Sequence, residues 1–166
     1  MITLRNAIDE ITNTISKSSK DNLGGPFGAF VYKTIEKNDS DEIIEIIATG
    51  VNSVTINNDP TAHAEIVAIR NACKELNTYD LSEYSIYSSG FPCPMCLGAI
   101  IWSGIKEIAY SQTLEDAQEL GFKDKEMYEK IFSCLQDGDN RVSIRRIPND
   151  KLNEIYNSYK KDGVIY

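Results

Sequence analysis

Apolar residues follow helical and strand-like spacings in turn along this chain of 166 residues, and this alternation limits the folds open to it. Residues 3–20 carry an apolar side chain every three or four positions, which predicts an amphipathic helix. Two largely apolar runs, 27–33 and 43–51, predict strands that are joined by a charged, solvated hairpin turn over 34–42. The chain is therefore expected to open with a helix and a hairpin.

Helical and extended segments continue to alternate after the hairpin. The further predicted elements are, in chain order, a helix over about 62–76, a strand over 84–89, a helix ending near Trp102, a strand over 106–111, two short helices flanking 121–122, a strand over 142–147 and a helix over 149–160. This pattern predicts an α/β fold, a mixed three-layer α/β/α domain. We expect one domain over residues 1–166, with 161–166 as a C-terminal tail.

The charge balance bears on the partners of this chain. Its 17 basic and 25 acidic residues give a net charge of −8, whereas proteins that bind nucleic acid usually present a basic surface to the phosphates. We therefore expect a small-molecule substrate and no nucleic acid partner. No apolar run approaches the roughly 20 residues of a membrane helix, and no secretory signal opens the chain, so we expect a cytoplasmic protein without a membrane partner.

Two short segments carry residues that point to chemistry. The first reads Asp-Pro-Thr-Ala-His-Ala-Glu and contains His63 and Glu65. The second reads Pro-Cys-Pro-Met-Cys and contains Cys93 and Cys96. The order H-x-E and then P-C-x-x-C is the signature of zinc deaminases. We therefore predict a Zn²⁺ ion on His63, Cys93 and Cys96.

The residue types suit a catalytic zinc ion. Zinc accepts nitrogen and thiolate donors in tetrahedral geometry, and three protein ligands leave one position for a water molecule that the metal activates. Both segments lie where a loop enters a helix, and the partial positive charge at such an entry favours the thiolates of Cys93 and Cys96. Glu65 is poorly spaced from His63 to share the metal, so we predict that it moves protons as a general acid and base.

Each of these residues also has an ordinary structural explanation. A lone histidine is commonly a core or surface residue, and a Cys-x-x-Cys pair is also found in redox proteins and in structural zinc sites. His63 is the single histidine of the chain, and the two other cysteines, Cys73 and Cys134, lie outside the motif. No fourth ligand is evident, so a structural-zinc or redox binding protein remains the alternative from another class.

At these motifs the sequence resembles the bacterial guanine deaminases of the cytidine-deaminase-like superfamily. The matching segments are Gly24–Ala29, Asn57–Glu65 and Pro92–Ile100, together with Trp102, Gly121-Phe122 and the terminal Tyr166. The resemblance spans most of the chain and implies a five-stranded sheet with helices on both faces. It also implies a homodimer that exchanges C-terminal segments, so that Tyr166 covers the active site of the partner.

The resemblance further implies hydrolysis of guanine to xanthine and ammonia in a pocket formed by Phe27, Asn52, Trp102, Asp124 and Tyr166. Phe27 and Trp102 offer flat apolar surface to a purine base. The amide of Asn52 can donate to N7 or O6 and accept from a ring N–H, and Asp124 can accept from the edge that bears the amino group. Each position also suits a structural role, such as core packing, a turn, a helix cap or a frayed end.

The sequence departs from this family just before the cysteine motif. Relatives usually carry Glu before the proline, preceded by a small residue or Cys, whereas this chain has Phe91 and Gly90. A large apolar ring beside the metal loop alters the surroundings of the site and the fit of the substrate. A tRNA adenosine, free cytosine, a nucleoside or an amino-triazine therefore remain alternative substrates, although the acidic chain disfavours tRNA and a capping Tyr166 would obstruct ribose.

Overall fold

The computed structural model describes residues 1–20, 24–38 and 41–136, the last five by their backbone alone. The helices and strands are β1 (Ile2–Thr3), α1 (Leu4–Lys20), β2 (Gly28–Lys37), β3 (Glu42–Val51), α2 (Val54–Asn57), α3 (Ala64–Leu76), β4 (Ser85–Gly90), α4 (Pro94–Trp102), β5 (Ile108–Gln112), α5 (Leu114–Glu119) and α6 (Asp124–Gln136). The chain divides into two compact units, Met1–Tyr128 and Glu129–Tyr166. The sheet and the site described below belong to the first unit, and the single domain over 1–166 stays a prediction.

The strands form one mixed sheet in the order β1-β3-β2-β4-β5. Strand β3 is antiparallel to β1 and to β2, β2 is antiparallel to β4, and β4 is parallel to β5. The α/β fold with a mixed five-stranded sheet is thus confirmed. One of the five observed strands, β1, was not predicted, because two residues are too short to show a periodic pattern. The predicted strand 142–147 and helix 149–160 lie outside the described residues.

The β2–β3 hairpin is longer than the apolar runs suggested. The segment 34–42 was predicted to be a turn, but β2 continues to Lys37 and β3 begins at Glu42. These two residues are paired across the strands and form a salt bridge. Opposite charges that face each other across antiparallel strands support the ladder, so a charged sequence extends the hairpin here.

Helix α1 covers one face of the sheet. The alternation of strand side chains places Phe30 and Tyr32 of β2 on this face, where they meet Ala7 and Ile11 of the helix. Tyr87 of β4 stacks on Phe30 with ring centroids 4.9 Å apart. All five side chains are buried, so this layer forms one half of the core.

Helices α3 and α4 cover the opposite face. Three fully buried alanines of α3 pack against the sheet, and a close approach is needed at Gly50 of β3. A Cβ atom at Gly50 would lie 2.2 Å from the carbonyl oxygen of Ala64 and 2.5 Å from the amide nitrogen of Ala68. The small residues at this crossing therefore fix where α3 begins. The expected three layers are present.

Two of the candidate metal ligands flank the starts of α3 and α4. His63 is the residue that immediately precedes α3. In the loop before it, Asp59 accepts hydrogen bonds from the backbone N–H and the hydroxyl of Thr61. Cys93 immediately precedes α4, and Pro94 lies in the first turn, where its missing backbone N–H leaves no helix hydrogen bond unmade.

No helix in the described part of the chain is both long and apolar enough to cross a membrane.

Candidate active site

The sheet topology brings the sequence-predicted site residues to one edge. Strands β3 and β4 are both antiparallel to β2 and so run in one direction, and β5 runs parallel to β4. The carboxyl ends of these three strands therefore lie at the same edge. His63 lies on the connection after β3, Cys93 follows β4, and Asp124 begins the second helix after β5. Such an edge is the usual ligand site of open α/β sheets.

The three predicted metal ligands meet where α3 and α4 begin. Their donor atoms all lie within 4.8 Å of one another, and His63 Nδ1 is 3.6 Å from Cys93 Sγ. Tetrahedral zinc with ligands at about 2.0–2.3 Å separates its donors by roughly 3.3–3.8 Å, so this donor set fits one ion. Cys96 is fully buried one turn into α4. The described residues contain no other group of three potential ligands this close together.

Hydrogen bonding polarises the two thiols. The pKa of Cys93 falls to about 4 because Cys96 donates a hydrogen bond to its sulfur and His63 adds a second bond and a positive charge. The same hydrogen bond raises the pKa of Cys96, and the contact with Cys93 raises the pKa of His63. The pocket therefore already favours a thiolate beside the imidazole, which is the ligand form that a divalent metal requires.

Glu65 lies directly beside these donors. It is in the first turn of α3 and only 6% exposed, and its Oε1 accepts a hydrogen bond from Ser88 Oγ at 3.1 Å. Its Oε2 is 3.5 Å from Cys96 Sγ. Burial raises the pKa of Glu65 above its usual range. A carboxyl group with a raised pKa keeps its proton to a higher pH than an exposed one, which suits a general acid and base.

A cavity of about 370 Å³ opens in front of Glu65, His63 and Cys93. Of the five residues predicted to contact substrate, Phe27, Asn52 and Asp124 line it. The other lining residues are Gly24, Gly25, Val54, Thr55, Ala64, Gly90, Phe91, Ala117 and Phe122. The structure thus places two of the three metal donors, the Glu65 carboxyl group and three of the predicted contacts around one space.

Asn52 presents its amide nitrogen to this cavity. Its Oδ1 accepts from the backbone N–H of Gly25 at 3.2 Å and from that of Val54 at 3.3 Å. Two backbone donors require the oxygen at this end and use its two lone pairs. The backbone of Gly24 lies very close to that of Asn52. A Cβ atom at Gly24, where φ is +150°, would lie 1.9 Å from the Asn52 carbonyl oxygen, so only glycine fits here. The two bonds from Gly25 and Val54 occupy the oxygen of the Asn52 amide, so its nitrogen is the end with donors to offer.

Two aromatic residues of the cavity wall were not predicted as contacts. Phe122 meets Phe27 edge-on, with ring centroids 4.8 Å apart, and both rings line the cavity. Phe91 packs edge-on against Tyr110 at 5.0 Å and also lines the cavity. The family match at 121–122 and the departure at 91 were the sequence signals that pointed to these positions.

Asp124 begins α6 at the cavity wall and is partly buried. Burial raises the pKa of its carboxyl group, the charge of Cys93 raises it further, and that of His63 lowers it. Its position agrees with contact to a ligand and not only with a role at the helix start.

Trp102 does not line this cavity. It ends the nine-residue helix α4 and is 80% exposed. Along the axis of this helix, Cys96 is about 9 Å and Cys93 about 14 Å from Trp102. Tyr166 lies outside the described residues. Substrate contact by either side chain stays a prediction.

The sheet order, the metal donors at two helix entries and the neighbouring buried carboxyl group define a zinc-type hydrolytic deaminase domain. The sequence-family model for the cytidine and deoxycytidylate deaminase zinc-binding region matches residues 4–112 of this chain. The chain belongs to this deaminase family, and the resemblance inferred from its motifs is confirmed.

Several relatives are similar to this chain. Guanine deaminase from Bacillus subtilis is 49% identical over 109 residues, a match that spans 66% of this chain and 64% of that enzyme, just under two thirds of its length. The X-ray structure of guanine deaminase from Bacillus subtilis superposes with a TM-score of 0.81 and 34% identity, covering 96% of this chain and 95% of the other. A tRNA-specific adenosine deaminase from Buchnera aphidicola is 35% identical, covering 70% of this chain and 74% of that enzyme.

Proposed function

We propose that this protein is a zinc-dependent guanine deaminase, which converts guanine and water to xanthine and ammonia. The observation that carries the proposal is one cavity lined by two of the three metal donors, His63 and Cys93, together with the Glu65 carboxyl group, the Asn52 amide and the Asp124 carboxyl group. The similarity to Bacillus subtilis guanine deaminase in sequence and in fold supports this choice of substrate.

His63, Cys93 and Cys96 would hold the zinc ion. One nitrogen and two sulfur donors are a ligand set that zinc accepts, and with no fourth ligand close by among the described residues the site resembles an open, catalytic one. The bound ion supplies Lewis acidity that makes water nucleophilic near neutral pH. This openness argues against the structural-zinc and redox alternatives.

Glu65 would carry the protons of the reaction. Its carboxylate would take one proton from the attacking water and deliver it to the ring nitrogen next to C2. It would then take the remaining proton of the hydroxyl group on C2 and pass it to the leaving amine, so that ammonia departs and a carbonyl group forms. The hydrogen bond from Ser88 to Oε1 holds the carboxyl group in place, and burial raises its pKa, which strengthens it as a proton acceptor. We infer that Glu65 is the general acid and base.

Guanine complements the polar groups of the cavity wall. The Asn52 nitrogen would donate to O6 or N7, and the Asp124 carboxylate would accept from the N–H groups of the edge that carries the amino group. Phe27 and Phe122 provide apolar surface for the purine ring. Adenine or cytosine would leave one of these polar groups without a partner, which disfavours them.

A substrate panel tests the proposed reaction. Purified, zinc-loaded protein is incubated with guanine, guanosine, cytosine and a tRNA anticodon stem, and released ammonia is measured. We expect rapid ammonia release and xanthine from guanine alone. A faster reaction with the anticodon stem would instead favour the activity named for the Buchnera relative, and the absence of xanthine would overturn the proposal.

We also propose a homodimer formed through helix α4. The end of this helix exposes two large apolar side chains, with Trp102 80% and Ile101 65% accessible. Exposed apolar area of this kind is typical of a protein contact. We expect a dimer by sedimentation analysis and a monomer for Trp102→Glu, and a monomeric wild type would refute the dimer. The proposed exchange of the tail that ends in Tyr166 lies outside the described residues.

A cytoplasmic location completes the proposal. Cys73, Cys93 and Cys96 are free thiols, and two of them are arranged as metal donors and not as a disulfide. Reduced thiols of this kind are typical of a reducing compartment. Fractionation of cells should place the activity in the soluble cytoplasmic fraction.

A further inference from the structure

Tyr128 connects α6, the helix that carries Asp124, to the chain just before the candidate metal ligand Cys93. It lies four residues after Asp124 on α6, so the two side chains share one face of the helix, a turn apart. Its hydroxyl group donates a hydrogen bond of 2.8 Å to the carbonyl oxygen of Pro92. Pro92 immediately precedes the metal ligand Cys93. One hydrogen bond thus joins two parts of the site that are far apart in sequence.

The ring of Tyr128 also packs near Phe91, whose own position is fixed by the sheet edge. Its centroid is 6.4 Å from that of Phe91, and Phe91 in turn packs edge-on against Tyr110. The backbone N–H of Phe91 donates to the carbonyl oxygen of Gln112, the last residue of β5. Phe91 is therefore held by the sheet edge and offers Tyr128 a fixed surface. Burial raises the pKa of Tyr128 to about 12, so its hydroxyl group remains a donor throughout the neutral range.

A further contact anchors the chain on the other side of Asp124. Phe122 meets Phe27 with ring centroids 4.8 Å apart, and Phe27 directly precedes β2. The segment 122–128 is thus attached before Asp124 by a ring contact and after it by Tyr128. Asp124 lies between the two attachments and lines the cavity.

We propose that Tyr128 is a positioning residue, which holds the Asp124 carboxyl group at the cavity wall and thereby sets the affinity for the substrate. This inference rests on the proposed function, because it takes Asp124 as the group that accepts from the amino-bearing edge of guanine. A carboxylate that is held in place before binding gains affinity, since less freedom is lost when the ligand arrives. Phe91, where this sequence differs from its relatives, takes part in the same set of contacts, because its ring packs near that of Tyr128.

The variant Tyr128→Phe tests this role, because it removes the hydroxyl group and keeps the ring. We expect KM for guanine to rise about five-fold, the effect of one lost hydrogen bond, with kcat within about two-fold of wild type and one zinc ion per chain. Tyr110→Phe is the matched control, since Tyr110 also packs on Phe91, and its kinetics should be unchanged. An unchanged KM in Tyr128→Phe, or a joint fall of kcat and zinc content, would overturn the role.

A double variant shows whether Tyr128 acts through Asp124. In an Asp124→Asn background, Tyr128→Phe should raise KM by less than about two-fold, because the carboxylate that it positions is already gone. A further five-fold rise in that background would show that the two residues act independently and would overturn the proposal.

Hydrogen exchange separates this inference from the proposed function. Amide exchange over residues 122–128 is measured in zinc-loaded protein without substrate. Faster exchange in Tyr128→Phe, and not in Tyr110→Phe, supports the positioning role even if guanine is not deaminated by the wild type, a result that would defeat the proposed function alone. Equal exchange in all three proteins would overturn the positioning role, and it would leave guanine deamination by the wild type untouched.

Discussion

At the level of single residues, the backbone around Asn52 decides what its amide can do. Gly25 and Val54 donate their N–H groups to Oδ1, which leaves the nitrogen to meet a ligand. Ser88 acts on Glu65 in a comparable way, by fixing one carboxylate oxygen beside the metal donors. Both cavity groups are only 6% exposed, so each is held in one orientation before a ligand binds.

The variant Asn52→Asp separates the two ends of this amide. A carboxylate still accepts from Gly25 and Val54 but has no donor for the base, so we expect a KM for guanine at least about ten-fold higher. In contrast, Asn52→Ala should also lower the free energy of unfolding, since two backbone N–H groups lose their partner. Steady-state kinetics and denaturant unfolding measure both effects, and a wild-type KM in Asn52→Asp would contradict the donor role.

The variant Glu65→Gln tests the proton carrier. Glutamine can still accept from Ser88 but cannot take up a proton, so we expect zinc to remain bound and turnover to fall by about 10²–10⁴. Elemental analysis and ammonia release measure the two quantities. The control Glu75→Gln changes an exposed glutamate of the same helix and should behave as wild type. Turnover retained in Glu65→Gln would show that another group moves the protons.

At the level of the secondary structure elements, the site depends on where two helices begin. Helix α3 lies close to β3 because small residues face each other at the crossing, among them Gly50, Ala64 and Ala68. Helix α4 begins after Cys93 with a proline in its first turn. A shift of either helix by a fraction of a turn would separate the donor atoms, so helix packing and metal geometry are linked.

A pair of glycine variants measures this packing. A Cβ in Gly50→Ala would lie 2.2 Å from the Ala64 carbonyl oxygen, so α3 must move, and we expect a loss of about 1–3 kcal/mol in the free energy of unfolding. Gly98 lies within α4, where a Cβ would meet nothing within 4 Å among the described residues outside its own helix backbone. Gly98→Ala should therefore raise the free energy of unfolding by up to about 1 kcal/mol. Denaturant unfolding of both variants measures these changes, and a neutral Gly50→Ala would contradict the close packing.

At the level of the whole molecule, the order of the strands gathers the site. Because β3, β4 and β5 run in one direction, the segments that follow them meet at one edge of the sheet. His63 and the two cysteines come from separate connections at this edge, about 30 residues apart in sequence. A bound divalent ion therefore joins α3 to α4 and should stabilise the first unit as a whole.

Removal of the metal tests this link. An ion that binds only the folded chain stabilises it by several kcal/mol when it is well above its Kd, so we expect a chelator to lower Tm and added zinc to restore it. Cys96→Ser should lose this response because it removes a buried donor. Cys73→Ser, a change at a free thiol outside the site, should keep it. Calorimetry with and without chelator gives the answer, and equal Tm values for wild type would contradict the link.

Within the described residues, the sequence by itself indicated the longer helices and strands, and it singled out His63, Cys93 and Cys96 as candidate metal donors with Glu65 beside them. Apolar spacing and the two short motifs are local properties, so they can be recognised without knowledge of the fold. The chain-wide match to a deaminase family also indicated Phe27, Asn52 and Asp124 as cavity residues. These three positions carried no sufficient local signal of their own.

Only the tertiary structure decided which distant segments meet. It paired β1 with β3, brought Phe91 and Phe122 to the cavity, directed the Asn52 oxygen toward backbone N–H groups and left Trp102 exposed. Each of these outcomes depends on contacts between residues far apart along the chain. Such contacts follow from strand order and helix packing, which no short window of sequence contains.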